Sequence, residues 1–275
     1  HERTETGSFR VEEFRVPLMK AFIKGPREPA VNAEQINVDL SVSYLSGGGA
    51  SLLPVKLRTG IRPRYVHFSG YEGFLFSNGA VKTGIFKGRY YGNEDGDEHE
   101  SGSAGIPEPQ HKTRELTLDK FGAARTTLSD FPRFDAPRNV AAELEFRDPN
   151  GEVQTVSSAI PYYPSGLLIG ISAEDQSQDA FKYNIAVLDL NGRPAAGVKV
   201  KADIFERKAY SHRKRIHGGF YSYESATEVK KIGTHCEGVT TAKGILLCTG
   251  KAPLAGSVII QAQARDSAGN AAFAN

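Results

Sequence analysis

The sequence predicts an all-β chain of two consecutive antiparallel β-sandwiches. Three observations carry this. Apolar residues alternate with polar ones in run after run, 29 glycines and 14 prolines gather between the runs, and 275 residues exceed the roughly 100 of one ordinary sandwich. No convincing amphipathic helix is present, and no run of about 18 apolar residues could cross a bilayer as a helix.

The runs follow in order. A first strand is expected over 18–24. Ile36, Val38, Leu40, Val42 and Tyr44 alternate with Asn37, Asp39, Ser41 and Ser43, which sends one face into a core and the other into water. The same period recurs through Val55, Leu57 and Thr59, through Leu116 and Leu118, through Leu144 and Phe146, and through Val153, Thr155, Ser157 and Ala159. Between the last two, Asp148-Pro149-Asn150-Gly151 offers an Asn-Gly pair suited to a hairpin. Pro161, Pro164 and Gly166 then interrupt pairing, so the boundary falls at 164/165. The second half repeats the plan, with strands over 167–171, 181–188, 198–205 and 258–264 and a turn at Asn191-Gly192.

Each half carries one insertion. That of the first, about 62–112, is rich in aromatics (Tyr65, Phe68, Tyr71, Phe74, Phe76, Phe86, Tyr90, Tyr91) and ends in the acidic stretch 93–100, expected to be mobile. The rings are expected to fold back as a satellite core, with Arg62 and Arg64 stacked beside them. The alternative is an exposed surface that grips a partner.

In the second half, segment 206–231 mixes Arg207, Lys208, Arg213, Lys214, Arg215, Lys230 and Lys231 with Tyr210, Phe220, Tyr221 and Tyr223. An inserted hairpin turning at Gly218-Gly219 is the favoured reading. A protease-sensitive segment and a salt-dependent patch for an acidic or envelope partner are the alternatives.

Formal charge is +2 and the pI about 8.4, too mild for a nucleic-acid partner. Cys236 and Cys248 are the two cysteines; Gly238 and Gly244 between them read as paired strands, so a disulfide across that hairpin is expected, with two free thiols as the alternative. Acidic residues 94–100 fit no EF-hand spacing, and His99, His111, His212, His217 and His235 lack the short paired spacing of zinc sites, so no metal or cofactor is expected. Nucleophile elbow, His-Glu-x-x-His and phosphate loop are all missing, and no enzyme is expected. The chain opens at His1 without an initiator Met or a charged-then-apolar leader and stops at Asn275, so a piece of a longer protein is expected.

The opening stretch Val11-Glu12-Glu13-Phe14-Arg15-Val16-Pro17 resembles the junction between successive macroglobulin domains in bacterial alpha-2-macroglobulin-like proteins. Asp189-Leu190-Asn191-Gly192-Arg193-Pro194-Ala195-Ala196-Gly197-Val198 resembles their D-x-x-G-x-P-x-x-G-x-x-V strand pair. The hairpin from Thr240 to Leu246 and the turn Asp266-Ser267-Ala268-Gly269-Asn270 resemble two more of the family's segments. The resemblance implies macroglobulin-like, that is Ig/fibronectin-III-like, antiparallel β-sandwiches over 17–164 and 165–275, with 1–16 as the last strand of a preceding module. It implies a periplasmic or envelope-associated parent, anchored at the inner membrane or not, that inhibits endopeptidases without catalysis. The partners implied are proteases, neighbouring macroglobulin domains and other envelope proteins. Neither Cys236-Glu237-Gly238 nor Cys248-Thr249-Gly250 fits the family's Cys-x-Glu-Gln thioester. An adhesion or protein-interaction module of an unrelated surface protein is the competing class, because fold analogy alone does not settle function.

Overall fold

The structure is a computed structural model that describes residues 17–87, 112–176, 181–215, 221–251 and 257–275. Strands make all the regular structure among the described residues.

The first sandwich faces a sheet of β1 (Met19–Lys24), β3 (Gln35–Tyr44) and β8 (Ala123–Ser129) against a larger one. That sheet has β2 (Ala30–Val31), β10 (Val153–Tyr163), β9 (Arg138–Arg147), β4 (Pro54–Pro63) and β7 (Lys112–Thr117), in that order. The alternation in β3 does what its sequence demands: Ile36, Val38, Leu40 and Val42 are buried in one core with Leu128 of the adjacent β8 and Leu57, Val140 and Leu144 of the facing sheet. Each such side chain removed from water contributes about 1.5–3 kcal/mol before chain entropy is set against it.

The second sandwich has β15 (Ile245–Gly250), β12 (Phe181–Asp189), β11 (Leu167–Gln176) and β5 (Leu75–Phe76) in one sheet. The other holds β17 (Ala271–Ala274), β16 (Val258–Arg265), β13 (Lys199–Arg215), β14 (Tyr221–Val239) and β6 (Gly84–Lys87). Its core joins Ile169, Tyr183, Ile185 and Val187 from one sheet to Val200, Ala202, Ile204, Ala262 and Ala264 from the other.

The two sandwiches are one topology used twice. The order β1-β3-β8 returns as β11-β12-β15, and β10-β9-β4-β7 as β17-β16-β13-β14. Register agrees residue by residue: Met19 lies opposite Tyr44 as Leu167 does opposite Asp189, Ser41 opposite Ala123 as Ala186 opposite Ile245, and Arg147 opposite Val153 as Arg265 opposite Ala271.

Four chain reversals share the pattern Asp-x-x-Gly-x. In each, Asp Oδ1 accepts the backbone N–H groups two and four residues on: Phe121 and Ala123 at Asp119, Asn150 and Glu152 at Asp148, Asn191 and Arg193 at Asp189, Ala268 and Asn270 at Asp266. Asn150-Gly151 is therefore not the centre of a two-residue turn. Gly151 N–H donates to Asp148 O at 2.9 Å and Gly151 takes φ +84°, so the glycine fills the left-handed position that closes a longer loop with a bulge.

The aromatic insertion of the first half forms the expected satellite core, and builds it mainly on the second sandwich as a strap, with Tyr163 of β10 at its edge. Phe68, Tyr71, Phe74 and Phe76 pack with Leu168, Ala186 and Leu188 on the outer face of the β11/β12 sheet, which is thus buried on both sides. Gly170 and Gly192 make room: a Cβ would lie 2.8 Å from the Phe76 ring at the first and 2.5 Å from that of Phe68 at the second. The chain then adds β5 beside β11, crosses through Val81 N–H to Gln261 Oε1 at 2.6 Å, and pairs β6 with β14 on the opposite sheet. Of the two arginines expected beside rings, Arg64 stacks over Tyr163, 5.6 Å from its centroid, and donates to Tyr163 Oη and Asn139 Oδ1 at 3.0 Å each. Arg62 instead lies opposite Asn139 in the β4/β9 register. The acidic stretch 93–100 and its neighbours Tyr90 and Tyr91 lie outside the described residues.

Candidate functional site

Strands β13 and β14 form a hairpin in register from Lys199↔Val239 to Arg215↔Tyr221, far longer than the sandwich needs. Strand β16 leaves β13 after Glu206↔Val258, where Arg207 N–H closes onto Ser257 O at 3.0 Å. On the other side β6 accompanies β14 as far as Ala226↔Lys87. Beyond that, among the described residues, 211–215 pairs with 221–225 alone, over roughly 17 Å at about 3.4 Å per residue. The turn with Gly218-Gly219 lies outside the described residues.

Two cations of the run, Lys208 and Lys231, are paired with carboxylates of the same hairpin. Lys208 Nζ lies 3.0 Å from Glu206 Oε1, and this bond holds the ammonium's pKa above its ordinary value. Tyr210 Oη–H donates to Glu228 Oε2 at 2.9 Å, and Glu228 faces Lys208 across the ladder. Lys231 Nζ reaches Asp203 Oδ2 at 2.6 Å while Thr234 Oγ1–H donates to Asp203 Oδ1 at 2.9 Å. Asp203 is 5% exposed. Burial pushes its carboxyl pKa up, but the bonds from Lys231 and Thr234 outweigh it and hold the value below the ordinary carboxylate range. Two register shifts, one between Ala202 and Asp203 and one between Ile204 and Phe205, bring Lys231 and Thr234 to this carboxylate. Lys230 faces Glu206 and is exposed, as is Arg213 opposite Tyr223; of the side chains of Lys214 and Arg215 nothing is described.

Cys236 and Cys248 are joined in a disulfide, but not across a hairpin. Cys236 sits on β14 opposite Ala202, and Cys248 on β15 opposite Tyr183, in the facing sheet. Between them the chain arches over the end of the sandwich, so the bond staples the two sheets together. Tyr183, buried beside it, shares a 2.9 Å hydrogen bond with His235 Nδ1, and burial pushes its phenol pKa up.

A third cluster joins the sandwiches. Asp266 Oδ2 accepts Gly166 N–H at 2.8 Å, Ser165 Oγ–H at 3.2 Å and Asn270 Nδ2–H at 3.0 Å. Burial raises this carboxyl's pKa, and the donated bonds, Gly166 foremost, more than offset that and lower it. Asn32 Nδ2 crosses from the first sandwich to Asn270 Oδ1 at 2.8 Å, and Ala80 N–H reaches back to Asp135 Oδ2 at 3.1 Å.

Among the described residues no three His, Cys, Asp or Glu side chains gather as a metal site would require. The cleft at the open edge of the first sandwich is floored by Leu57, Leu128, Phe131 and Val140. There Arg114 donates to Thr126 Oγ1 and Thr127 O, bridging the two sheet edges. What these sites do is hold strands, sheets and sandwiches in place.

No protein-family model and no curated protein sequence matches the chain. Solved structures do. The native conformation of Escherichia coli alpha-2-macroglobulin superposes with a TM-score of 0.66 at 13% identity over 97% of this chain and 16% of that one. Salmonella alpha-2-macroglobulin reacted with methylamine gives 0.63 at 14% over 96% of this chain and 17% of that one. The E. coli protein activated by porcine elastase gives 0.62 at 14%, over 94% of this chain and 22% of that one. The fold is macroglobulin-like. The likeness runs through both macroglobulin-like sandwiches, and the chain spans about a sixth of the length of the first of these proteins.

Two features of the macroglobulin-like pair escape a reading by motif. The Asp203–Lys231 contact depends on bulges, and the path of the strap on tertiary packing. The repeat is legible in Arg147-Asp148-x-x-Gly151 and Arg265-Asp266-x-x-Gly269: Arg147 Nη1 donates to Gly151 O, and Arg265 Nη1 likewise to Gly269 O.

Proposed function

We propose that this chain is a pair of scaffold modules from a bacterial cell-envelope protein of the alpha-2-macroglobulin type, contributing to non-catalytic inhibition of endopeptidases. The observation that carries the reading is the likeness over 97% of the chain, both sandwiches and their joint together, to one stretch of E. coli alpha-2-macroglobulin. Two of the similar structures are of that protein activated by porcine elastase and by trypsin, so proteases are the partners proposed for the parent. The sheet-to-sheet disulfide supports an oxidising compartment such as the periplasm. The role assigned to the hairpin and the joint is mechanical, holding modules in fixed relation while other parts of the parent meet the protease.

The test uses the full-length parent incubated with trypsin or elastase. Trapping predicts that the protease loses activity on a large protein substrate and keeps it on a small peptide substrate. Equal activity on both, with and without the parent, would refute it.

A further inference from the structure

The two sandwiches tie their facing sheets together at the same pair of positions, by different chemistry. Arg114 stands opposite Leu57 and Thr126 opposite Val38; Cys236 stands opposite Ala202 and Cys248 opposite Tyr183. The internal repeat makes these pairs equivalent. Ser41↔Ala123 corresponds to Ala186↔Ile245, so three residues along each ladder Val38↔Thr126 corresponds to Tyr183↔Cys248. Arg147 and Arg265 correspond likewise, which matches Val55↔Phe146 with Val200↔Ala264. Two residues further on, Leu57↔Arg114 matches Ala202↔Cys236. Arg114 and Thr126 therefore stand where the second sandwich has its disulfide.

Strands β7 and β8 end their sheets on this side, and what joins them is polar. Arg114 Nη1 donates to Thr126 Oγ1 at 2.9 Å and to Thr127 O at 3.1 Å. Lys112 Nζ reaches Ser129 O at 3.5 Å and Asp130 Oδ2 at 3.4 Å. The Lys112–Asp130 pair is wet, its side chains 50% and 80% exposed, so it holds little and Arg114 is the main tie. Beneath lies the cleft of about 340 Å³ floored by Leu57, Leu128, Phe131 and Val140, with Leu57 and Val140 each 1% exposed. Arg114 and Lys112 line it with apolar stems while their charged heads reach to the far edge. Water can replace the partners of a guanidinium and leave the chain intact, whereas a disulfide opens only on reduction.

We infer that Arg114 is a reversible latch on the first sandwich, closing an edge that opens in the folded chain to expose the apolar cleft beneath it. The second sandwich is locked at the same edge by Cys236–Cys248. One topology is thus built once with a gate and once with a staple, and the two modules differ in how far they yield while still folded. This follows from the internal repeat and stands apart from the protease reading.

The test is the rate at which a thiol-specific alkylating reagent labels the 275-residue chain. Both native cysteines are in the disulfide, so Val140→Cys puts a single free thiol on the cleft floor. Val42→Cys, at a position 1% exposed in the same core but outside the cleft lining, reports opening of the whole sandwich. Labelling of Val140→Cys is expected to be about tenfold faster than that of Val42→Cys. Arg114→Met keeps the stem and removes the donors; it should speed labelling of Val140→Cys by about a further tenfold and leave Val42→Cys unchanged. No change at Val140→Cys overturns the latch. An equal rise at both positions overturns it too, because Arg114 would then only stabilise the sandwich as a whole. Separately, Arg114→Cys with Thr126→Cys should form a disulfide as Cys236 and Cys248 do. Two thiols left free in that variant overturn the equivalence of the two ties, whether or not the labelling variants fold.

Discussion

Gly122 and Gly244, one in each sandwich, hold the same left-handed conformation at φ +73° and +71° against the same pair of backbone atoms. A Cβ on Gly122 would lie 2.4 Å from both Val42 O and Ala50 N; on Gly244 it would lie 2.6 Å from Val187 O and 3.1 Å from Ala195 N. In both places the valine N–H donates to the glycine O, and the alanine N–H to the valine O, at 2.8–2.9 Å. This crossing ties the arch from one sheet to a strand of the other, and it allows no side chain.

Replacing either glycine by alanine is therefore expected to cost about 2–5 kcal/mol, from left-handed strain of about 1–2 and forced displacement of about 1–3. Gly151→Ala, where the added Cβ meets nothing within 4 Å, should cost the strain alone. Urea unfolding of the three variants checks the order.

The Cys236–Cys248 bond closes a loop with a sequence separation of 12. Loop-closure entropy for a ring of that size corresponds to about 3 kcal/mol. Reduction, or Cys236→Ser with Cys248→Ser, should lower the melting temperature of the second sandwich and leave hydrogen exchange in β3 unaltered. A loss in β3 would mean that the sandwiches unfold as one unit.

Phe76 is the centre of the strap, in edge contact with Phe68 at 5.3 Å and Tyr71 at 6.1 Å, and seated on Gly170. Phe76→Ala is expected to cost about 3–5 kcal/mol. Because the strap begins in the first sandwich, the variant should also increase exchange at β5 and at Ser77 N–H, which donates to Ile169 O.

Asp203 and Asp266 titrate below the ordinary carboxylate range in the folded chain. A folded pKa below the unfolded one means that the unfolded chain binds the proton first. The stabilisation is thus complete above about pH 4, the unfolded carboxylate value, and is lost as pH falls through the depressed folded values. Melting temperature against pH should drop more steeply below about pH 4 for the unmutated chain than for Asp203→Asn.

Strand β3 was legible in the sequence because one of its faces is buried and the other wet, the condition that produces alternation. The hairpin at 206–231 was legible in outline, since polar runs flank two glycines. What escaped needs three-dimensional information. Gly238 and Gly244 read alike for a hairpin and for an arch, and only the pairing of β15 with β12 separates them. Aromatics at 68–76 declare that they will be buried without naming the sheet that buries them. Lys231 looks like one more surface cation until two bulges bring it to Asp203.

The claim that these sandwiches are scaffold, and that the basic hairpin is not where a protease cuts, is tested most directly by limited proteolysis with trypsin, chymotrypsin and elastase, with cut sites mapped by mass spectrometry. A protease takes its substrate as an extended strand with free backbone groups, which a paired ladder denies it. The account predicts that the bonds after Arg207, Lys208, Lys230 and Lys231 outlast the first cuts elsewhere in the parent. Early cleavage there by more than one of the three enzymes would contradict it and make the hairpin the target.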